Sequence, residues 1–167
     1  YRPILSNPTL AMILEGVHGE TVHPGPDLDR VIGGVAIGAM EPAHMLERIQ
    51  PDTLVIVPGD REDVILTLTT AHLTGGLDPG GHPRGAALGL VLTGGYRPRQ
   101  AVLEAIRRAN LFATIVPEDT YVVASEVHDL LVKTHSADAG KIEMIKALVW
   151  EHLKIDRVLD AAGPVPS

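Results

Sequence analysis

The sequence predicts a three-layer α/β/α domain with a mostly parallel central sheet, and three observations carry that reading. Segments apolar at nearly every position, "LVIV" at 54–57, "LGLVL" at 88–92 and "LFATIV" at 111–116, read as strands buried on both faces. Between them apolar residues return every three or four positions, the period of a helix with one face inward. Parallel strands need crossovers, so this alternation places helices over the faces of one sheet.

The elements follow in order. "SNPTLAMILEGV" starts a helix with Ser6 or Asn7 as cap and Pro8 in its first turn; it carries Leu10, Ile13 and Leu14 on one face and ends near Gly16. A polar, Pro-rich connection leads to "VIGGVAIGAM", whose glycines argue for strand over helix, and Pro42 then opens a helix bearing Met45, Leu46 and Ile49. After strand 54–57, Val64, Ile65, Leu68 and His72 recur at helical spacing. "LGLVLTGG" is the next strand, followed by Pro98 and a helix with Val102, Leu103 and Ile106 inward. Beyond "LFATIVP", Asp119 or Thr120 caps a helix marked by Val123, Val127, Leu130 and Leu131. A last helix fits "ADAGKIEMIKALVWEHL", with Ile142, Ile145, Val149 and His152 along one side. Residues 1–160 read as a single domain, 74–87 as a flexible Gly/Pro-rich surface loop and 161–167 as a loose tail.

Composition narrows the function. A chain of 167 residues can bury a core without staples; 45% apolar and 21% charged residues describe an ordinary soluble protein. No apolar run approaches the roughly 20 residues of a membrane span. A net charge of −7, with no Lys/Arg cluster, speaks against nucleic acid or an anionic membrane as partner. The absence of cysteine excludes disulfides, thiolate metal sites and cysteine catalysis. No secretory signal precedes the first element, so a cytoplasmic location is expected, and a start at Tyr1 fits an excerpt of a longer chain. Neither G-x-x-x-x-G-K-[ST] nor G-x-G-x-x-G occurs, the eight histidines form no H-x-H or H-E-x-x-H, and Ser125 and Ser136 sit in no nucleophile elbow. No catalytic residue, cofactor or metal is therefore expected.

In an open α/β sheet, ligands collect beyond the carboxyl ends of the strands. Two turns are expected there: "PGDR", with Gly59, Asp60 and Arg61, and "TGG", with Thr93, Gly94 and Gly95. Two readings apply to each. Asp60 is either a plain helix cap after a turn glycine or part of a ligand site in which Arg61 offers its planar fork to a phosphate or carboxylate. Thr93 to Gly95 is either a tight strand-to-helix turn or a place where backbone approaches a ligand.

With these turns placed, the sequence resembles the DRTGG domain. The likeness extends from "IGGVAIGAMEPAHMLERIQPDTLVIVPGDREDV" through "LVLTGGYRPRQAVLEAI" and "VPEDTYVVASEVHDLL" to "KIEMIKALVWEHLKID", positions 8 to 156. It implies a fold similar to the amino-terminal domain of HPr kinase. It also implies a non-catalytic regulatory and dimerisation domain of a phosphotransacetylase-like multidomain protein. Such domains stand after a dethiobiotin-synthetase-like P-loop domain, or beside CBS domains in regulated pyrophosphatases, and a homodimer is the expected state. The alternative is a small-molecule sensor that binds an anionic metabolite or adenine nucleotide at Gly59, Asp60, Arg61, Thr93, Gly94 and Gly95.

Overall fold

The computed structural model describes residues 7–75, 87–134, 143, 146 and 147. Its elements run α1 (Leu10–Val17), β1 (Glu20–His23), β2 (Gly34–Ile37), α2 (Pro42–Arg48), β3 (Thr53–Pro58), α3 (Glu62–Leu73), β4 (Ala87–Thr93), α4 (Gln100–Arg108) and β5 (Phe112–Ile115). A further helix, α5, occupies residues 120–134. The five strands lie in the order β1-β5-β4-β3-β2. Strands β2 to β5 are parallel and β1 joins β5 antiparallel, so the mostly parallel three-layer architecture is as expected.

Side-chain alternation divides the core into two halves. Val55 and Val57 of β3, Leu90 and Leu92 of β4 and Ala113 of β5 face Val64, Ile65 and Leu68 of α3, Val102 and Ile106 of α4 and Met45 of α2. Leu54, Ile56, Val91 and Phe112 face the other way, against Leu10, Ile13 and Val17 of α1 and Val123 and Val127 of α5. Phe112 is the one phenylalanine of the chain and is fully buried. It fits because its neighbour in register is Gly89, where an added Cβ would lie 2.9 Å from the Phe112 Cβ and inside contact with its ring.

Two local expectations are corrected. The cap of α1 is Thr9, whose hydroxyl accepts from the Met12 amide, while the Asn7 side chain donates to Ile32 O at 2.7 Å. Thr9 also bridges Val31, so the chain enters the helix from an extended pairing and the cap falls where that pairing ends. The connection after α1, which the sequence marks only as polar and Pro-rich, contains β1. "ETVH" is exposed to half-buried along its length and so shows no apolar run; its place comes from pairing with β5, reinforced by the Thr114 hydroxyl on Glu20 O at 3.2 Å. Of the expected last helix, Glu143, Lys146 and Ala147 are helical and exposed, and the rest lies outside the described residues, as do 76–86 of the loop and the tail.

Candidate functional site at the carboxyl edge of the sheet

Parallel strands put their outgoing turns at one edge, and the register aligns Pro58 of β3 with Thr93 of β4. The PGDR and TGG turns are therefore neighbours. The Gly59 amide donates to Thr93 O at 3.0 Å, and Gly59 is buried with its Cα turned against the Tyr96 carbonyl. A Cβ at this position would sit on the Tyr96 oxygen and 2.9 Å from the Tyr96 carbonyl carbon. No residue but glycine fits.

Gly94 and Gly95 have φ of 80° and 67°, a left-handed pair that turns the chain sharply back after β4. That turn aims both amides at the next connection: Gly94 N–H donates to Glu118 O at 2.7 Å and Gly95 N–H to Val116 O at 2.9 Å. The hydroxyl of Thr93, 1% exposed, meets that of Thr120 in the first turn of α5 at 2.7 Å. Asp119 caps α5, accepting from the Val122 amide at 2.9 Å, as the sequence suggests.

Charged side chains extend the same strip. Arg61 holds Asp63 through both oxygens, Nε to Oδ1 at 2.9 Å and Nη2 to Oδ2 at 3.0 Å, and its Nη2 also donates to Met40 O at 3.2 Å in the turn after β2. Glu62 accepts the Arg99 backbone amide at 2.7 Å and Nε at 2.6 Å, joining the start of α3 to the start of α4. The hydrogen bond from Arg61 holds the Asp63 carboxyl below its usual range, and Asp63 in turn raises Arg61. The Arg99 side chain lowers Glu62 in the same way. All four turns that leave the parallel strands are thus tied sideways, from Met40 through Arg61 and Gly59 to Thr93, Gly94 and Thr120.

The six residues singled out in the sequence meet here, yet one role changes. Asp60 is exposed and caps nothing: the cap position of α3 is Arg61, which itself makes no capping bond. The chain turns one residue later than "PGD" suggests because Gly59 remains in the β3–β4 ladder through Thr93 O. Arg61 does grip a carboxylate, and it is Asp63 of the same chain. The sequence reading left Glu62, Asp63, Tyr96, Arg99 and Glu118 out of the site and gave Thr120 only as a possible helix cap. "DRED" signals an Arg beside acids, but the Glu62–Arg99 pair spans 37 positions and appears only once the strands are in register.

The chemistry of the strip follows from these bonds. The amides of Gly59, Gly94 and Gly95 and the Arg61 fork are engaged within the fold, and the Glu118 Oε2 is buried without a hydrogen-bond partner among the described residues. Asp60, Glu62, Asp63, Glu118 and Asp119 make the edge acidic, while Arg61 and Arg99 are held in ion pairs. An incoming anion would have to displace an internal carboxylate. Among the described residues no group of His, Asp and Glu is arranged to hold a metal ion, and no helix is long and apolar enough to cross a membrane.

The chain is 23% identical over 162 residues to a phosphate acetyltransferase of Nitrosomonas europaea, a match covering 95% of this chain and 22% of that protein. Phosphate acetyltransferases of Nitratidesulfovibrio vulgaris and Pseudomonas putida are each 26% identical, over 89% and 92% of this chain and 21% of theirs. The chain thus spans about a fifth of the length of these relatives. In fold it is similar to the CBS and DRTGG domains of the regulatory region of a Clostridium perfringens pyrophosphatase, crystallised with the activator diadenosine tetraphosphate. The TM-score is 0.55 at 20% identity, covering 71% of this chain and 45% of that one. Residues 12–130 match the DRTGG domain, which spans both turns and their lateral bonds; the chain belongs to the DRTGG domain family.

Proposed function

We propose that the chain is a non-catalytic regulatory and dimerisation domain of a phosphotransacetylase-like multidomain protein, in which its motif residues form a structural strip. The observation that carries this reading is the destination of the motif's donors. Gly59, Gly94 and Gly95 direct their amides at neighbouring turns and Arg61 reaches the Met40 carbonyl in another, which suits a stiff platform that transmits a position between domains. The relatives fit this reading: this chain corresponds to about a fifth of phosphate acetyltransferases, and the fold neighbour lies in a regulatory region. The parent then carries a P-loop domain of the dethiobiotin-synthetase type or CBS domains upstream, and the protein works in the cytoplasm. Assay of the chain alone for acetyl transfer between acetyl phosphate and coenzyme A tests the non-catalytic role. Turnover above background would overturn it. Sedimentation equilibrium tests dimerisation, and a mass fixed at 17.8 kDa up to about 100 μM would remove it, since a dimer weaker than that gains little stability.

A second reading is a sensor for an anionic metabolite or adenine nucleotide at Gly59, Asp60, Arg61, Thr93, Gly94 and Gly95. Two exposed rings at the same edge, Tyr96 and Tyr121, favour it, since aromatic faces stack on bases. Thermal melts with millimolar adenine nucleotide or acetyl phosphate decide this reading, and an unchanged melting temperature would exclude it.

A further inference from the structure

Donors and acceptors at the carboxyl edge are not in balance. The donors are engaged: the Gly59, Gly94 and Gly95 amides reach neighbouring turns, and each arginine at the edge holds an acid, Arg61 on Asp63, Arg97 on Glu20 at 2.8 Å and Arg99 on Glu62. The acceptors are not. Asp60, Glu118 and Asp119 have no ion pair among the described residues. Asp60 is exposed, Asp119 keeps one oxygen on the Val122 amide as cap of α5, and the Glu118 Oε2 is buried without a hydrogen-bond partner. A carboxylate oxygen withdrawn from water is costly until a donor meets it, and a charged donor meets it best.

Two aromatic rings stand beside these acids. The Tyr96 ring lies against Gly94, where an added Cβ would come 2.8 Å from Cδ2 and Cε2, and the Gly94 amide is bound to Glu118 O. The Tyr96 carbonyl touches Gly59, the neighbour of Asp60 in the chain. Tyr121 follows Asp119 and Thr120 in the first turn of α5. The Tyr96 and Tyr121 side chains are 56% and 80% exposed, and Val122 is exposed beside them. The face of an aromatic ring is its negative side and attracts cations. A surface whose donors are engaged while its carboxylates and ring faces stay open selects a cation over an anion.

We propose that the carboxyl edge docks an arginine-bearing surface of a partner polypeptide, with guanidinium groups on the Glu118 carboxylate and against the Tyr96 and Tyr121 faces, and Asp60 and Asp119 facing its basic flank. A guanidinium matches both halves of the surface, because its planar fork pairs with a carboxylate and its face stacks on a ring. Exposed Tyr and Val on an open rim suit a polypeptide, since protein interfaces concentrate Tyr and Arg. The inference rests on the regulatory reading, whose platform must meet another domain, and it names the surface and the charge of that contact. Two copies of this edge do not meet face to face, because their carboxylates would oppose one another.

Titration of the isotopically labelled chain with hexa-arginine and with hexa-lysine, peptides of equal charge, tests this through amide chemical shifts. The shifts are expected to centre on residues 59–61, 94–96 and 118–122, with hexa-arginine binding about threefold to fivefold tighter than hexa-lysine, the effect of one exposed cation–π contact. Tyr96→Leu combined with Tyr121→Ala should remove that preference. Glu118→Gln should weaken both peptides, whereas Asp29→Asn, an exposed acid outside the strip, should change neither. No shift at millimolar peptide, shifts centred on acids elsewhere, equal binding of the two peptides, or unchanged binding by the tyrosine and Glu118 variants overturns the surface. Tighter binding of spermidine than of hexa-arginine overturns the polypeptide partner in favour of a small polyamine. Should the double variant fail to fold, Tyr121→Ala alone decides, since that side chain is largely in solvent. Acetyl transfer by the chain alone would remove the regulatory role and leave a localised arginine contact standing; failure of the titration removes the surface and leaves the role.

Discussion

Replacing Gly59 with alanine adds one methyl group where the two motif turns touch. The added carbon would overlap the Tyr96 carbonyl oxygen and lie 2.9 Å and 3.2 Å from the Tyr96 carbonyl carbon and Cβ. Most of these atoms are backbone, so no rotamer change relieves the overlap, and the turns must separate by about an ångström in a close-packed region. Overpacking of this kind costs about 1–3 kcal/mol. Separation also stretches the Gly59 N–H to Thr93 O bond, which is worth about another 1 kcal/mol. Since each kcal/mol moves the melting temperature of a domain this size by about 2–4 °C, Gly59→Ala should melt about 5–15 °C lower by circular dichroism. Asp60→Ala, one residue away, removes an exposed side chain that caps nothing and should stay within about 0.5 kcal/mol of wild type. A Gly59→Ala protein as stable as wild type, or an Asp60→Ala protein that loses a cap's stability of about 1 kcal/mol, would refute the reasoning.

Three further outcomes follow from the strip. Arg61→Ala should cost no more than about 1 kcal/mol, because the guanidinium is 34% exposed and its ion pair is screened, and Arg61→Lys should not restore the loss, since an ammonium cannot hold two carboxylate oxygens in one plane; urea melts of the three proteins check this. Glu62 and Asp63 are held below their ordinary values of 4.5 and 3.8, so their ion pairs stabilise the fold above those values and this contribution is lost as pH falls through the lowered folded-state values. Glu62→Gln should accordingly lose less melting temperature than wild type between neutral pH and pH about 3, read by calorimetry. Thr93→Val should cost about 1 kcal/mol by leaving the Thr120 hydroxyl without its partner, and Thr93→Ser should recover most of it in the same melts.

What the sequence discloses and what it hides have physical reasons. β3, β4 and β5 are visible because burial on both faces leaves a single threonine in each, Thr53, Thr93 and Thr114, among apolar residues, and α4 because Val102, Leu103 and Ile106 share one face. β1 is hidden because its stability lies in backbone bonds to β5, which no side-chain pattern encodes. The motif turns are visible as punctuation, since left-handed geometry at 94 and 95 demands glycine. Their bonds are not, because they run between turns 20 to 40 positions apart and depend on strand register. Asp60 illustrates the limit: an acid before a helix reads as a cap, but the Gly59 amide stays in the ladder and moves the helix start past it.

Amide hydrogen exchange at Gly59, Gly94 and Gly95, measured with and without adenine nucleotide, tests most directly whether the motif is a structural strip. The account predicts slow exchange at all three in the protein alone, because each amide donates to a neighbouring turn, and no change when nucleotide is added. Exchange as fast as in a solvated turn, slowing only in the presence of nucleotide, would contradict it and make these amides the donors of a ligand site.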